Sequence, residues 1–257
     1  MDASSAEVEA VLVRRGLRVS RKGPGDERLL PSEQHVEGYY RALHRYSFRL
    51  FVRDVITHRE GVALGDVSRY TGERSAARYI DYLVSVGLLE PADGGYRLAR
   101  QSVQGFGRTL EWYVAEVLRR ELLAPTLSNV RLLGPGLGGD YDVLASLDGR
   151  LLYVEAKSSP PKQVYAAEVA AFLQRAAALG PELAVFLVDT RLRMLDKIVP
   201  LFDAELTRRP EPLRVERLER EIFHVRGRIF ITNSHPAVAA NLAAILRAYH
   251  AGRSPLL

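Results

Sequence analysis

Acidic residues and a lysine interrupt two strand-like stretches in the segment GGDYDVLASLDGRLLYVEAKSS, residues 138–159. Between the stretches, Asp148–Gly149 is a dipeptide typical of a two-residue hairpin turn. With that turn as the fixed point, Asp142 lies opposite Glu155 on the neighbouring strand. Because side chains alternate across a strand, Lys157 lies on the same face as Glu155. The hairpin is therefore expected to gather two carboxylates and one ammonium group.

Two carboxylates in this position repel each other, because directly opposed residues have Cβ atoms roughly 4.5–5.5 Å apart. A shared proton or a bound cation relieves such repulsion. We interpret Asp142 and Glu155 as oxygen ligands of a divalent cation, with the ammonium of Lys157 beside it. The opposite face of the hairpin is expected to be core, formed by Val143, Ala145, Leu147, Leu152, Val154 and Ala156.

Asp140 competes with Asp142 for the ligand role. The same hairpin register places Asp140 opposite Lys157, so its alternative role is an ion pair at the start of the strand. We favour Asp142, because Asp142 lies opposite Glu155.

The elements around the hairpin alternate between helix and strand. An amphipathic helix is predicted over 108–124, before the hairpin, and a second helix over 163–180, after it. The stretch 182–190, ELAVFLVDT, has the continuous apolar character of a buried strand. This alternation predicts an α/β fold with a mixed sheet flanked by helices.

The acid on one strand and the acid-x-lysine on the next resemble the PD-(D/E)xK (restriction-endonuclease-like) nuclease superfamily, of Mrr or archaeal Holliday-junction-resolvase type. The residues that carry the resemblance are Asp142 in GGDYDVLA, and Glu155 and Lys157 in YVEAK. The resemblance covers about residues 105–190, and Tyr141 stands where the motif's name has proline. It implies a restriction-endonuclease-like mixed sheet and a metal-dependent deoxyribonuclease.

The resemblance also implies roles for individual residues. Mg²⁺ or Mn²⁺ would be held by Asp142, Glu155 and the Ala156 carbonyl, with Glu111 of the preceding helix as a further acid and Glu116 as its rival. Lys157 would orient or deprotonate the attacking water, or stabilise the transition state. The polar residues at the start of the next helix, Lys162 and Gln163, would reach the site or a phosphate, or else be solvated.

The first 100 or so residues have a different organisation. A helical region is followed by a short helix at about 64–70, a second at about 73–86 and a hairpin turning at 93–95. This order resembles a winged helix-turn-helix, whose second helix enters the DNA major groove. The exposed face of that helix would then be Glu73, Arg74, Ser75 and Arg78, and its buried face Ile80, Leu83 and Val86. Winged helices also serve as protein-binding modules, which leaves that alternative open.

Four arginines recur at every fourth position before this region: Arg41, Arg45, Arg49 and Arg53. On one helix they would form a stripe, and like charges at that spacing repel unless something neutralises them. DNA phosphates would neutralise them, with a strong dependence on salt. The alternative is a solvated face paired with Glu37 and Asp54.

Bulk composition narrows the class of protein. The 257 residues carry a net charge of +5 and no cysteine, which excludes a disulfide scaffold and a thiolate metal site. A signal peptide and a membrane span are not expected, so we predict a cytoplasmic protein with two domains, a helical or winged-helix domain at 1–103 and a nuclease-like domain at 104–257. The basic charge fits DNA as partner, and duplex cleavage would suit a homodimer.

Three functions remain open from the sequence. The first is a metal-dependent nuclease acting on DNA in repair, recombination or defence. The second is a catalytically inactive DNA-binding or assembly protein on the same fold. The third is a winged-helix regulator whose second domain senses a small ligand, although no residue pattern specifies a ligand pocket.

Overall fold

A computed structural model describes residues 3–20, 27–134 and 137–252 of the chain. Its helices are α1 Ala3–Arg14, α2 Glu33–Leu43, α3 Tyr46–Thr57, α4 Leu64–Val67, α5 Glu73–Ser85, α6 Gly107–Glu121, α7 Ala166–Leu179, α8 Ile198–Thr207 and α9 Val238–Ala251. Its strands are β1 Arg18–Ser20, β2 Leu89–Ala92, β3 Gly95–Leu98, β4 Thr126–Leu133, β5 Asp140–Leu147, β6 Arg150–Lys157, β7 Leu183–Val188, β8 Glu216–Glu219, β9 Ile222–Val225 and β10 Ile229–Asn233. None of the described helices is long and apolar enough to cross a membrane.

The chain forms two compact units, and they do not follow the predicted boundary at residue 103. One unit, here called the sheet unit, contains the described residues of Met1–Lys22 and Val114–Leu257. The other, the small unit, is formed by those of Gly23–Tyr113. The N-terminal segment belongs with the sheet unit because β1 pairs antiparallel with β4 and α1 packs its apolar side on the sheet.

The sheet unit contains a mixed sheet of eight described strands in the order β1-β4-β5-β6-β7-β10-β9-β8. The pairs β6–β7 and β7–β10 are parallel, and the other pairs are antiparallel. Helices pack on this sheet, so the prediction of an α/β fold with a mixed sheet flanked by helices is confirmed. The carboxyl ends of β6, β7 and β10 consequently share one edge of the sheet.

The β5–β6 hairpin has the predicted register. Leu147 pairs with Arg150, and the pairing continues to Val143 with Val154. Asp148 and Gly149 both have positive φ, 52° and 73°. A type I′ turn requires this at its two central residues, which is why an Asp-Gly dipeptide fixes the register so firmly.

Both faces of this hairpin are packed, whereas the sequence predicted one core face. The expected core residues Val143, Ala145, Leu152, Val154 and Ala156 are buried, and Leu147 is partly exposed. On the other face, Leu151 and Tyr153 belong to an apolar cluster with residues of α1, α7 and α8. The predicted polar face is therefore core along most of β6 and becomes polar only at Glu155 and Lys157.

The small unit contains helices α2 to α5, the part of α6 up to Tyr113 and the β2–β3 hairpin. Leu89 pairs with Leu98 and Ala92 with Gly95, so the hairpin turns where the sequence predicted. Helix α5 buries Ala76, Ile80 and Leu83 and exposes Arg74 and Arg78. The predicted division of α5 into a buried and an exposed face is therefore observed.

The predicted stripe of four arginines does not form. Helix α2 ends at Leu43 and α3 begins at Tyr46, so Arg41 and Arg49 lie on different helices and Arg45 precedes the second one. Arg41 is exposed and pairs with Glu37 at 2.8 Å, as the solvated alternative predicted.

Arg49 is a structural residue in this fold. Only 1% of it is exposed. Its guanidinium donates to the backbone carbonyls of Leu43 and His44, at 2.6 and 3.3 Å, and lies 5.5 Å from the centre of the Tyr46 ring. The buried guanidinium thus satisfies carbonyls released by the break between α2 and α3, and the prediction of a DNA contact at Arg49 is corrected.

Candidate functional site

The three residues of the predicted motif meet at one edge of the sheet. Glu155 and Lys157 lie at the carboxyl end of β6, and Asp142 lies at the facing start of β5. The neighbouring strand β7 is parallel to β6, with Lys157 opposite Val188. Ligand sites in open α/β sheets commonly lie beyond the carboxyl ends of the parallel strands.

Glu155 is the most enclosed member of the site, with 2% of its surface exposed. Its Oε1 atom lies 2.9 Å from the Lys157 ammonium and 2.7 Å from the Arg175 guanidinium. Its Oε2 atom accepts a hydrogen bond from the Tyr153 hydroxyl. Burial alone raises the pKa of a carboxyl group, but these two cations and the phenol outweigh burial and lower the pKa of Glu155. The residue is therefore an ionised carboxylate with donors on both oxygens.

Lys157 bridges two carboxylates. Its Nζ atom lies 2.9 Å from Glu155 and 3.2 Å from Glu168 of α7. Burial by itself lowers the pKa of the ammonium, yet Glu155, Glu168 and Asp142 together raise it above its usual range. Lys157 is consequently a cation in this arrangement, which favours a role as donor over a role as general base.

Arg175 and Tyr153 are part of the site although the sequence analysis did not select them. The Arg175 guanidinium donates through Nε to the Tyr153 hydroxyl at 3.0 Å and through its terminal nitrogen to Glu155. Burial, together with the Glu155 charge, raises the pKa of Tyr153, so its hydroxyl stays protonated and donates. The spacing of Glu168 and Arg175 could have indicated this, because residues seven apart are separated by about two helical turns and share one face of α7.

Asp142 closes the end of the hairpin. Its Oδ2 atom accepts the backbone N–H of Ala156 at 2.9 Å, beyond the last paired residues of the two strands. Its charge contributes to the raised pKa of Lys157. The protein cations Lys157 and Arg175 therefore compensate the charge of Glu155, a task that the sequence pattern had assigned to a metal.

The rival acids of the sequence analysis have other surroundings. Asp140 is bonded to Arg131 of β4 at 3.1 Å, so its ion pair is with a different residue than the expected Lys157. Glu111 is buried in the small unit and pairs with Arg108 at 3.1 Å. Glu116 belongs to the sheet unit and is also buried, and it accepts hydrogen bonds from Arg119 and Arg120 of its own helix.

The predicted DNA-contacting residues are mostly exposed. On α5, Arg74 and Arg78 are exposed and Ser75 is partly exposed. Lys162 and Gln163 are also exposed, but they form a separate 3₁₀ turn with Pro161, and α7 begins only at Ala166. The prediction that Lys162 and Gln163 open the helix is therefore wrong, because Val164 and Tyr165 have extended backbone and separate this turn from α7.

The carboxylates do not form a ready-made metal cage. No group of three or more acidic or histidine side chains in the described chain is placed to hold a metal ion. Mg²⁺ commonly uses one or two protein carboxylates, with waters and substrate phosphate completing its shell. Asp142, which is partly exposed, and Glu155 fit that sparse requirement, provided that Glu155 releases at least one of its present cations.

Comparisons with known proteins give similarity in fold. No family model and no curated protein matches the chain. The crystal structure of protein VC1899 from Vibrio cholerae is similar over 94% of this chain and 62% of that protein, at 14% identity and a TM-score of 0.56. Can2 from Sulfobacillus thermosulfidooxidans, solved in complex with cyclic tetra-adenylate, matches 70% of this chain and 51% of its own length, at 16% identity and a TM-score of 0.46. The chain thus spans less than two thirds of each protein, and the likeness to VC1899 is one of fold alone.

Proposed function

We propose that the sheet unit is a metal-dependent nuclease of the PD-(D/E)xK, restriction-endonuclease-like class that hydrolyses DNA phosphodiester bonds. The observation that carries the proposal is the meeting of Asp142, Glu155 and Lys157 at the carboxyl edge of the parallel strands. A role in repair, recombination or defence, in the cytoplasm and as a homodimer, belongs to the same proposal.

Each residue has a distinct task in this proposal. Asp142 and Glu155, with the Ala156 carbonyl, would hold Mg²⁺ or Mn²⁺, and Glu111 remains a proposed further acid. The bound metal would lower the pKa of a water and stabilise negative charge on the phosphate. The Lys157 ammonium donates hydrogen bonds to a phosphate oxygen as negative charge grows there, which its raised pKa supports.

The small unit is proposed to be a winged helix-turn-helix domain that binds DNA. Helix α5 would approach the major groove with Arg74, Ser75 and Arg78, which lie on its solvent side. Arg41 and Arg45 are exposed and Arg53 is partly exposed, so they remain proposed phosphate contacts, as do Lys162 and Gln163 in the sheet unit. Arg49 is excluded by its burial.

Cleavage of labelled substrates tests the nuclease. Duplex, single strand, flap, four-way junction and an RNA are incubated with Mg²⁺, Mn²⁺ or EDTA. We expect cleavage that EDTA abolishes and that Asp142→Asn reduces roughly 10²-fold or more, because one metal ligand loses its charge. Asp140→Asn is the matched control, since it removes the same charge two residues away and is expected to retain cleavage. Metal-independent cleavage, or equal loss in both variants, would count against Asp142 as ligand.

A non-enzymatic DNA-binding or assembly protein is the second candidate. The observation that favours it is the saturation of both Glu155 oxygens by Lys157, Arg175 and Tyr153. Such a protein needs no metal at Glu155, since Lys157 and Arg175 already compensate its charge. Salt-sensitive DNA binding without cleavage of any substrate would select this function over the nuclease.

Arg175 is expected to oppose metal binding. Its guanidinium shares Glu155 Oε1 with Lys157, so a divalent cation at that oxygen meets two positive charges. If the sheet unit is a metal-dependent nuclease, Arg175→Gln is expected to tighten Mn²⁺ binding roughly ten-fold, because the variant removes one positive charge beside the metal. The free energy of a ten-fold change is a modest fraction of the repulsion between two charges about 4 Å apart. Calorimetric titration of the substrate-free protein measures this. Arg131→Gln, which removes the arginine bonded to Asp140, is the control, and unchanged or weaker binding in Arg175→Gln would contradict the competition.

A further inference from the structure

A polar concavity lies at the opposite edge of the sheet. This cavity, of about 410 Å³, is lined by Arg150, Glu182, Arg226, Gly227, Arg228 and Tyr249, among others. Arg150 opens β6, Glu182 immediately precedes β7, and Arg228 immediately precedes β10. Because β6 rises about 3.3 Å per residue, Arg150 and Lys157 are roughly 23 Å apart. The cavity is therefore separate from the candidate active site.

Within the part of the chain that the structure describes, the arginines of this cavity have no close counter-ion. In the described ranges of the chain, no carboxylate lies within salt-bridge distance of Arg150 or Arg228, and the pair of Arg226 with Glu211 is long, 3.9 Å, and exposed on both sides. Three guanidinium groups around one concavity repel each other in the absence of an anion. The cavity therefore presents an excess of positive charge.

Glu182 is the one carboxylate among the described residues that line the cavity, and it does not supply that anion. Both of its oxygens accept hydrogen bonds from Arg15 of the N-terminal segment, at 2.6 and 2.5 Å, and Oε2 also accepts the backbone N–H of Leu151 at 2.8 Å. Burial alone raises the pKa of Glu182, but these hydrogen bonds outweigh burial and lower the pKa. The carboxylate therefore stays ionised and bonded to Arg15. Its charge is thus balanced by a residue outside the cavity lining.

We propose that this cavity binds a phosphate group. Planar guanidinium groups match phosphate oxygens with two parallel hydrogen bonds, which makes arginine the residue best suited to recognise phosphate. The cavity has the size of a small-molecule site, so it accommodates a phosphate together with an attached group. Both a free nucleotide and the backbone of a nucleic-acid strand supply this chemistry.

Calorimetric titration of the whole chain at low salt tests the site with four probes: inorganic phosphate, ADP, adenosine and a short oligonucleotide with a 5′-hydroxyl. We expect phosphate and ADP to bind and adenosine not to bind. Arg150→Gln and Arg228→Gln are each expected to weaken binding roughly ten- to hundred-fold, the effect of one lost charge-assisted hydrogen-bond pair. Arg214→Gln, an exposed arginine that does not line the cavity, is the matched control.

The probes also distinguish the source of the phosphate and separate this site from the proposed nuclease site. If the oligonucleotide binds and the two cavity variants weaken it as they weaken ADP, the natural ligand is a backbone phosphate, whereas binding of ADP alone indicates a free nucleotide. Phosphate binding that persists in Lys157→Ala would support a separate site even if no substrate is cleaved. Absence of phosphate binding, or binding that Arg150→Gln and Arg228→Gln leave unchanged, would overturn the proposal.

Discussion

Glu155→Ala is expected to lower the free energy of unfolding of the sheet unit by about 3 kcal/mol. Removing one member of a buried ion pair costs roughly 3–5 kcal/mol, because the partner charge is left without compensation. Here two partners, Lys157 and Arg175, are affected, but each is 21% exposed, which places the expected cost at the lower end. The Tyr153 hydroxyl also loses its acceptor. Native-state hydrogen exchange of the β6 and β7 amides measures the change in this unit separately from the small unit.

Glu168→Ala provides the control for this expectation. Glu168 also contacts Lys157, at 3.2 Å, but a third of its side chain is exposed, so its removal is expected to cost less than about 1 kcal/mol. Equal costs for the two variants would mean that Lys157 and Arg175 turn to solvent once Glu155 is gone. The difference also bears on function, since loss of cleavage in Glu155→Ala alone would not separate a missing metal ligand from a weakened fold.

The register of the central hairpin could be predicted because its determinants are local. Asp148 and Gly149 adopt the positive φ angles that a two-residue turn requires, and every pairing up to Val143 with Val154 follows from that turn. The composition of the site edge then follows from alternation along the strands. For the same reason, the exposed and buried faces of α5 could be predicted from helical spacing.

The cations around Glu155 could not be predicted in the same way. Arg175 reaches Glu155 from α7, twenty residues away, and this contact depends on how α7 packs on the face of β6. The sequence pattern predicted one core face and a polar face on this hairpin, whereas Leu151 and Tyr153 make the predicted polar face core up to Glu155. Because the sequence does not show where α7 packs, Lys157 was the one protein cation that could be placed near the two carboxylates.

The fate of the arginine stripe shows a second limit. A four-residue period predicts one face only while the helix continues, and the chain breaks between Leu43 and Tyr46. That break turns Arg49 inward, where its side chain binds the carbonyls at the break. Similarly, β1 pairs with β4, which lies more than 100 residues later in the chain, and no local pattern near residue 20 predicts this pairing.

Lys157→Ala is expected to reduce the cleavage rate by roughly 10²–10³-fold, the usual cost of removing one donor that stabilises charge in a transition state. The ammonium is fixed by Glu155 and Glu168, and its raised pKa keeps it charged across the neutral range. Glu155 retains Arg175 and Tyr153 as donors in this variant, so the site is expected to stay folded. The loss is then attributable to chemistry and appears in single-turnover cleavage at saturating metal.

Two further variants determine whether the ammonium acts through its charge and position. Lys157→Arg keeps the positive charge but replaces a compact donor by a planar fork, and is expected to restore only part of the rate. Lys197→Ala removes a partly exposed lysine immediately before α8 and is expected to leave single-turnover cleavage within a few-fold of the unmodified protein. Cleavage by Lys157→Ala at a similar level would remove Lys157 from the chemistry and leave the two carboxylates as the reactive part of the site.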